Sequence, residues 1–521
     1  MPSPTRGDFF VSGDVQRDVV AFLCTPEAYG LRTGSLERID THISTVWLAG
    51  PRAFKLKRAV HYDYVDFSTA ERRRKACEAE VRLNRRTAPS LYCGVRAVTR
   101  EADGTLAIGG LGTPIDWLVE MVRFDQATLF DRLAEGAALD TALMEPLAAA
   151  IVRLHADAAV RADHGGRAGM LWVVDGNALG FAGQGASVLE QAACGQLAAD
   201  ARAAIERQAD RLDARRRGGF VRECHGDLHL RNICLLDGVP TIFDGVEFND
   251  DISCVDVFYD LAFLLMDLWR RNLRAHANMV FNEYVVRTAD VDALGLLPLF
   301  LSCRAAVRAK TSATSAAMQT TAGGRIDLEA SARQYLEMAR AFLDPPPARL
   351  IAIGGFSGSG KSTLARGLAA GVGPAPGALL VRSDVLRKTL MDVAPLTRLG
   401  PEGYETAVTR RVYHALAARA RAALAAGHAV IADAVFARQG DRETIAAVAR
   451  EAGVPFSGVW IDAPPEALTR RIADRPVDAS DATADVLARQ LQSGTGSIDW
   501  HRLDGAADAS TVLERARAVL S

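Results

Sequence analysis

The chain has 521 residues, 49% of them hydrophobic and 24% charged, a composition that excludes wholesale disorder and suits a folded protein with a sizeable core. With 61 basic and 63 acidic residues the net charge is -2, so no global field draws the chain to nucleic acid or to an anionic membrane. The start lacks a charged segment leading into a long apolar core, and no stretch approaches the run of about 18 apolar residues that spans a bilayer; a cytoplasmic protein with no membrane partner is expected.

Residues 14 to 30 place Val15, Val19, Val20, Phe22 and Leu23 at helical spacing and stop near Gly30. A strand-like run from Thr41 to Leu48, a turn at Ala49-Gly50-Pro51-Arg52 and a second strand from Ala53 to Lys57 follow. Alternation puts Lys55 and Lys57 on one face of that strand and Phe54 and Leu56 on the other. Residues 68 to 86 read as a helix capped by Ser68, with Glu71 three positions on. Glu78 shares a polar face with Arg74 and Arg82, whereas Glu80 falls among Cys77, Val81 and Asn84 on the inward stripe, where an acid needs a cationic partner. Lys55 is the natural partner, and Lys57 reads as a solvated strand lysine. The run Arg72 to Lys75 reads as a solvated helix face. Strand-like runs at 95–99 and 116–124, helical runs at 127–158 and 186–213, and a solvated turn at Arg215-Arg216-Arg217 lead to the next motif.

That motif is His225-Gly226-Asp227-Leu228-His229-Leu230-Arg231-Asn232, followed by an apolar run, Asp237-Gly238, a second apolar run, and Asp244. Asp-Gly between apolar runs predicts a two-residue hairpin turn, which sets Leu236 against Val239 and Asn232 against Phe243. Asn232 and Asp244 thereby reach one end of the hairpin, where an amide oxygen and a carboxylate suit Mg²⁺, and Asp227 lies just upstream to orient a hydroxyl. The spacing Asp-Leu-x-x-x-Asn resembles the catalytic loop of protein kinases, and in the His-Gly-Asp form it resembles the aminoglycoside phosphotransferase family. The resemblance implies that Lys55 holds the phosphates of ATP with Glu80 as its partner. It also implies that backbone groups near Glu120 to Val122 bind adenine, and that Asp256 and Asp260 brace the catalytic loop. Glu247 has two open roles, support of the metal or contact with the acceptor. For a polycationic acceptor, only Asp250 and Asp251 hint at an acidic pocket.

Helical runs from 276 to 342 end at Asp344-Pro345-Pro346-Pro347-Ala348, a short stiff linker. Beyond it strands at 349–354, 378–383, 428–433 and 456–461 alternate with helices, the pattern of an open parallel sheet. The first strand runs into Gly355-Phe356-Ser357-Gly358-Ser359-Gly360-Lys361-Ser362-Thr363, which fits the Walker A pattern G-x-x-x-x-G-K-[ST]. Its glycines let backbone N–H groups close on phosphate, Lys361 reaches the outer phosphates, and Ser362 offers a hydroxyl to Mg²⁺. The second strand ends in Asp384 and Arg387 and the third in Asp433; Arg471 and Arg475 share one face of a later helix. These residues resemble P-loop kinases of small molecules and of polynucleotide 5′-hydroxyls. That resemblance implies that Asp384 activates the acceptor hydroxyl, that Arg387 contacts the substrate, that Asp433 supports metal or acceptor, and that Arg471 and Arg475 stabilise the transferring phosphoryl group.

The expected architecture is an α+β, bilobal protein-kinase-like domain over residues 1–343, the linker 344–348, and an α/β P-loop domain over 349–521. The expected function is a tandem kinase using ATP and Mg²⁺ on small-molecule hydroxyls, with nucleic acid not favoured as a partner. The alternative is a single P-loop kinase whose first domain binds substrate or regulates. The eight cysteines form no C-x-x-C pair and read as reduced thiols, and the ten histidines show no metal-ligand spacing.

Overall fold

The computed structural model describes residues 16–31, 36–62, 64–319, 321–394, 397–474 and 480–520, and divides into two compact units. One comprises residues up to Met170 together with Ala209–Leu264; the other comprises Leu171–Gln208 and Leu265 onward.

The first unit is built on an antiparallel six-stranded sheet: β1 (Leu36–Asp40), β2 (Ser44–Ala49), β3 (Arg52–Lys57), β4 (Tyr92–Arg100), β5 (Leu106–Ile108) and β6 (Thr113–Val122), in the order β1-β2-β3-β6-β4-β5. Trp47, Phe54, Leu56, Val98 and Leu118 make the core on one face. On the other, helix α1 (Ala70–Asn84) lays Cys77 and Val81 against Val119. The helix is capped by Thr69, whose hydroxyl accepts from the Arg72 N–H at 3.3 Å, one position later than the expected Ser68. Two expectations of solvated arginines fail for one reason, a distant carboxylate. Arg73 is buried on Asp116 at 2.8 and 2.9 Å, and Arg215 is buried on Asp256 at 2.7 and 3.0 Å. A hairpin of β7 (Ile233–Leu236) and β8 (Val239–Ile242) has the anticipated register, Leu236 opposite Val239, and Asp237 and Gly238 both take positive φ, 50° and 78°. The Phe243 N–H donates to the Asn232 carbonyl at 3.0 Å, so the fold-back continues to the pair that matters chemically.

The second unit contains helices α2 (Arg274–Thr288), α3 (Leu297–Met318) and α4 (Ala322–Leu343) and a five-stranded parallel sheet. Its strands are β9 (Leu350–Gly354), β10 (Leu379–Arg382), β11 (Val430–Asp433), β12 (Phe456–Asp462) and β13 (His501–Asp504), ordered β10-β11-β9-β12-β13; the last strand adds to the four expected. Their near-continuous apolar runs, Ile351, Ile353, Ile431, Val459 and Ile461 among them, are buried as befits a sheet covered on both faces.

Within the second unit, α2 satisfies the open edge of the parallel sheet. Asn282 on α2 accepts from the Leu380 N–H at 2.7 Å and donates to the Ala378 carbonyl at 3.2 Å. One turn earlier, Asn278 donates to the Pro376 and Ala378 carbonyls, both at 3.1 Å. Edge-strand groups that would otherwise face water are thus paired by two buried amides. Among the described residues no helix is long and apolar enough to cross a membrane.

Candidate active sites

In the first unit β3 and α1 bring Lys55 and Glu80 together as expected, with Lys55 Nζ 2.9 Å from Glu80 Oε1, and the same ammonium lies 2.6 Å from Asp244 Oδ1. Burial opposes the charge on Lys55, yet the carboxylates of Asp244 and Glu80 outweigh it and hold the ammonium well above its usual pKa. Glu80 is fully buried, and the two lysines on its oxygens keep its pKa below the ordinary range despite that burial. Lys57 is the residue that sequence reasoning placed wrongly. It is buried, not solvated, and donates to Glu80 Oε2 and to Glu247 Oε1. Alternation located it on the Lys55 face, but a partner 190 residues away is invisible locally.

Asp227 and Asn232 meet directly: the Asn232 amide nitrogen donates to the Asp227 carbonyl at 2.9 Å and to its Oδ2 at 3.1 Å. That leaves Asn232 Oδ1 as the group to offer a cation, beside Asp244, whose side chain is 43% exposed and whose φ is 62°. Two hard oxygen donors next to a lysine fit Mg²⁺ shared with phosphate. The Asp244 N–H donates to the Tyr92 hydroxyl at 3.1 Å and the Gly245 N–H to Asn84 Oδ1 at 2.8 Å, so α1 and β4 fix the turn that presents the acid.

Asp260 braces the loop from beneath. Fully buried, it accepts from the His225 N–H at 3.2 Å, the Gly226 N–H at 2.8 Å and His155 Nε2 at 3.1 Å. Gly226 has φ 82°, and a Cβ there would stand 3.1 Å from Val246 Cβ and 3.2 Å from the Ile252 carbonyl, so the tight path needs glycine. The Glu120 to Val122 segment is less available to adenine than expected. The Val122 N–H donates to the Leu91 carbonyl at 2.8 Å and that of Arg123 to the Pro51 carbonyl at 2.9 Å, while the Glu120 side chain pairs with Arg96 at 2.7 Å. Strand pairing has claimed the donors. The acidic pair Asp250 and Asp251 is also engaged, Asp250 with Arg161 at 3.0 Å and Asp251 facing His164 at 3.8 Å, which removes the hint of a pocket for a polycation.

In the second unit the glycine-rich loop follows β9 and runs into α5 (Lys361–Ala369), after which α6 (Ser383–Leu390) and α7 (Thr406–Ala425) come in the chain, and Gly355, Gly358 and Gly360 are all at positive φ. At Gly358 a Cβ would stand 2.7 Å from the Leu468 carbonyl, so the loop packs too closely on α8 (Pro465–Ala473) for any side chain. Ser357 is pinned by Gln490 on α9 (Ala484–Ser493), which accepts from its N–H and donates to its Oγ, both at 3.0 Å. Ser359 Oγ is buried with no partner among the described residues, Thr363 is exposed, and Lys361 Nζ donates to the Phe356 carbonyl at 3.0 Å.

Ser362 Oγ, in the first turn of α5, donates to Asp433 Oδ2 at the end of β11, at 2.6 Å. Asp433 therefore sits with the residue expected to bind metal, and hydroxyl plus carboxylate again suit Mg²⁺. Asp384 lies in the first turn of the helix Ser383–Leu390, half-buried, with no hydrogen bond or ion pair among the described residues. Arg387, one turn on, is buried, not a surface arginine. Its Nη1 donates to the Gly403 carbonyl at 2.7 Å and Thr409 Oγ1 at 3.3 Å, its guanidinium lies over Tyr404, and its Nε is buried with no partner among the described residues. The buried Lys388 binds Asp481 at 2.7 Å, and Asp481 accepts from the Leu399 N–H and the Tyr404 hydroxyl, which ties the 397–404 segment above this helix. Arg471 is half-buried on α8; Arg475 lies outside the described residues.

The sequence matches the phosphotransferase enzyme family over residues 53–291 and an AAA domain over residues 350–495. Uncharacterized proteins of Mycobacterium tuberculosis and Mycobacterium bovis are 31% identical over 494 residues, which is 90% of this chain and 92% of each relative. Among solved structures, a thermostable mutant of an aminoglycoside phosphotransferase is 14% identical, over 61% of this chain and 98% of its own, with a TM-score of 0.38. The APS kinase of Mycobacterium tuberculosis is 22% identical, over 34% of this chain and 97% of its own, with a TM-score of 0.25.

Proposed function

Because the chain belongs to one family with the mycobacterial proteins and joins a phosphotransferase-family domain to a P-loop kinase-like domain, we propose that it is a tandem ATP-dependent phosphotransferase. Each domain moves the γ-phosphate of ATP to a hydroxyl of a small molecule. The observation that carries this reading is the meeting of Glu80, Lys55 and Asp244, at 2.9 and 2.6 Å, beside the Asp227–Asn232 pair. A decayed site has no reason to keep Lys55 on both Glu80 and Asp244 and Asn232 on Asp227.

In the first site Lys55 holds phosphate oxygens while Glu80 keeps it in place, and Asp227 orients the acceptor hydroxyl and takes up its proton as the oxygen attacks. Asn232 and Asp244 hold the magnesium, as Ser362 and Asp433 do in the second. When bound, the ion neutralises charge on the phosphate oxygens. In the second site Lys361 and the loop amides grip the phosphates, and the unpaired Asp384 carboxylate activates the acceptor. The Nε edge of Arg387 faces an anionic part of that acceptor, and Arg471 and Arg475 stabilise charge on the group in flight. The engaged Asp250 and Asp251 disfavour an aminoglycoside acceptor, and the near-zero net charge disfavours nucleic acid.

The test is transfer of labelled γ-phosphate from ATP to a small-metabolite extract by wild type, Asp244→Ala and Lys361→Ala. Loss of a different product in each variant, or arrest at successive steps, is the expected result. If Asp244→Ala changes nothing while Lys361→Ala removes all transfer, the first domain is a binding or regulatory module and catalysis belongs to the P-loop alone.

A further inference from the structure

The phosphotransfer roles above leave unused the buried pair Lys57 and Glu247, which adjoins Glu80. Lys57 stands two residues beyond Lys55 on β3 and projects from the same face. Its side chain is 1% exposed, its ammonium is shared between Glu80 and Glu247, and the ring of Phe67 lies 5.2 Å away. Glu80 gives Oε1 to Lys55 and Oε2 to Lys57, so charge alternates along Asp244, Lys55, Glu80, Lys57 and Glu247.

This sequence of charges has a consequence for nucleotide binding. A buried carboxylate with one ammonium partner grips it hard, because parting them leaves an uncompensated charge away from water. Lys55 stands between two acids and must loosen from both to meet phosphate oxygens. With Lys57 present, Glu80 stays compensated while Lys55 shifts. Lys57 cannot itself reach a ligand, since it is enclosed and tied on both sides, and Glu247, 3% exposed, anchors it from the far end.

We infer that Lys57, anchored by Glu247, is a positioning residue: it is the standing counter-ion of Glu80 that frees Lys55 for the phosphates of the nucleotide. The inference rests on reading the first site as a nucleotide site.

The experiment is calorimetric binding of Mg·ATP to the full chain carrying Lys361→Ala, so that the first site is the one read. Adding Lys57→Met is expected to weaken binding about tenfold, whereas Lys57→Arg, which keeps the charge, stays within about threefold of the parent. Glu80→Gln is expected to cost less in the Lys57→Met background than alone, because the charge that Lys57 balances is then gone. Melting curves establish that each variant folds. Should Lys57→Met not fold, Lys57→Met with Glu247→Leu replaces the buried pair by apolar groups of similar size and carries the same expectation. A folded variant lacking Lys57 that binds Mg·ATP as tightly as the parent overturns the inference, as does an equal loss in Lys57→Arg. If the parent binds no nucleotide at all, the reading of the first site falls, and the inference with it.

Discussion

Replacing Asp260 by alanine tests whether the loop that presents Asp227 is held from beneath. The carboxylate is fully buried and accepts the His225 and Gly226 N–H groups, at 3.2 and 2.8 Å, and His155 Nε2 at 3.1 Å. Each buried donor left without its acceptor costs about 1–3 kcal/mol, and since the three share one network the total is less than their sum, about 3–5 kcal/mol. Local opening of the 224–227 segment should become easier by about two to four orders of magnitude. Hydrogen–deuterium exchange read on peptides covering His225 and Gly226 measures this directly, alongside phosphate transfer by each site. The expected result is loss of protection there and loss of first-site transfer, with the Lys361-dependent product unchanged. Asp260→Asn, which keeps one acceptor oxygen but turns an N–H toward a backbone donor, should fall between. A folded Asp260→Ala protein with full protection at His225 and undiminished first-site transfer would refute the argument.

Two further outcomes follow from buried groups of the second unit. His428 is buried with Nε2 on the Gly377 carbonyl at 2.9 Å, and burial lowers its pKa from 6.5 to about 4. The folded state favours the neutral ring, so its contribution is complete above pH 6.5 and is lost as pH falls toward 4. The loss amounts to about 3 kcal/mol, and stability of wild type against His428→Asn across that window measures it, an equal slope in both being the contrary result. Asp433→Asn weakens the acceptor of the Ser362 hydroxyl, and the second site should then need about 10- to 100-fold more magnesium while the first keeps its requirement. Titration of each product against free magnesium separates the two, and a chelator should silence both.

What could be read from the sequence follows the range over which its physics acts. Asp237-Gly238 sets a hairpin because two consecutive positive φ values are cheap for those residues, and the register then carries Asn232 to Phe243 without help from elsewhere. The period of a strand and the stripe of a helix likewise put Lys55 and Glu80 on facing surfaces, and the glycines of the glycine-rich loop announce the one backbone path they allow. Errors gathered at charged residues. Arg73, Arg215 and Lys57 look like surface side chains in any local window, and each is buried on an acid supplied by another element. The Val122 N–H is lost to Leu91 for the same kind of reason, since which backbone donors remain free depends on how the neighbouring strand ends.

By itself, then, the sequence determined the local chemistry: two constellations of the residue types that phosphotransferases use, their turns, and which groups they present. The tertiary structure alone decided which charges are compensated and by whom. A charge leaves water only when a partner is brought to it, and here those partners lie 41 residues apart for Arg215 and Asp256, 43 for Arg73 and Asp116, and 190 for Lys57 and Glu247.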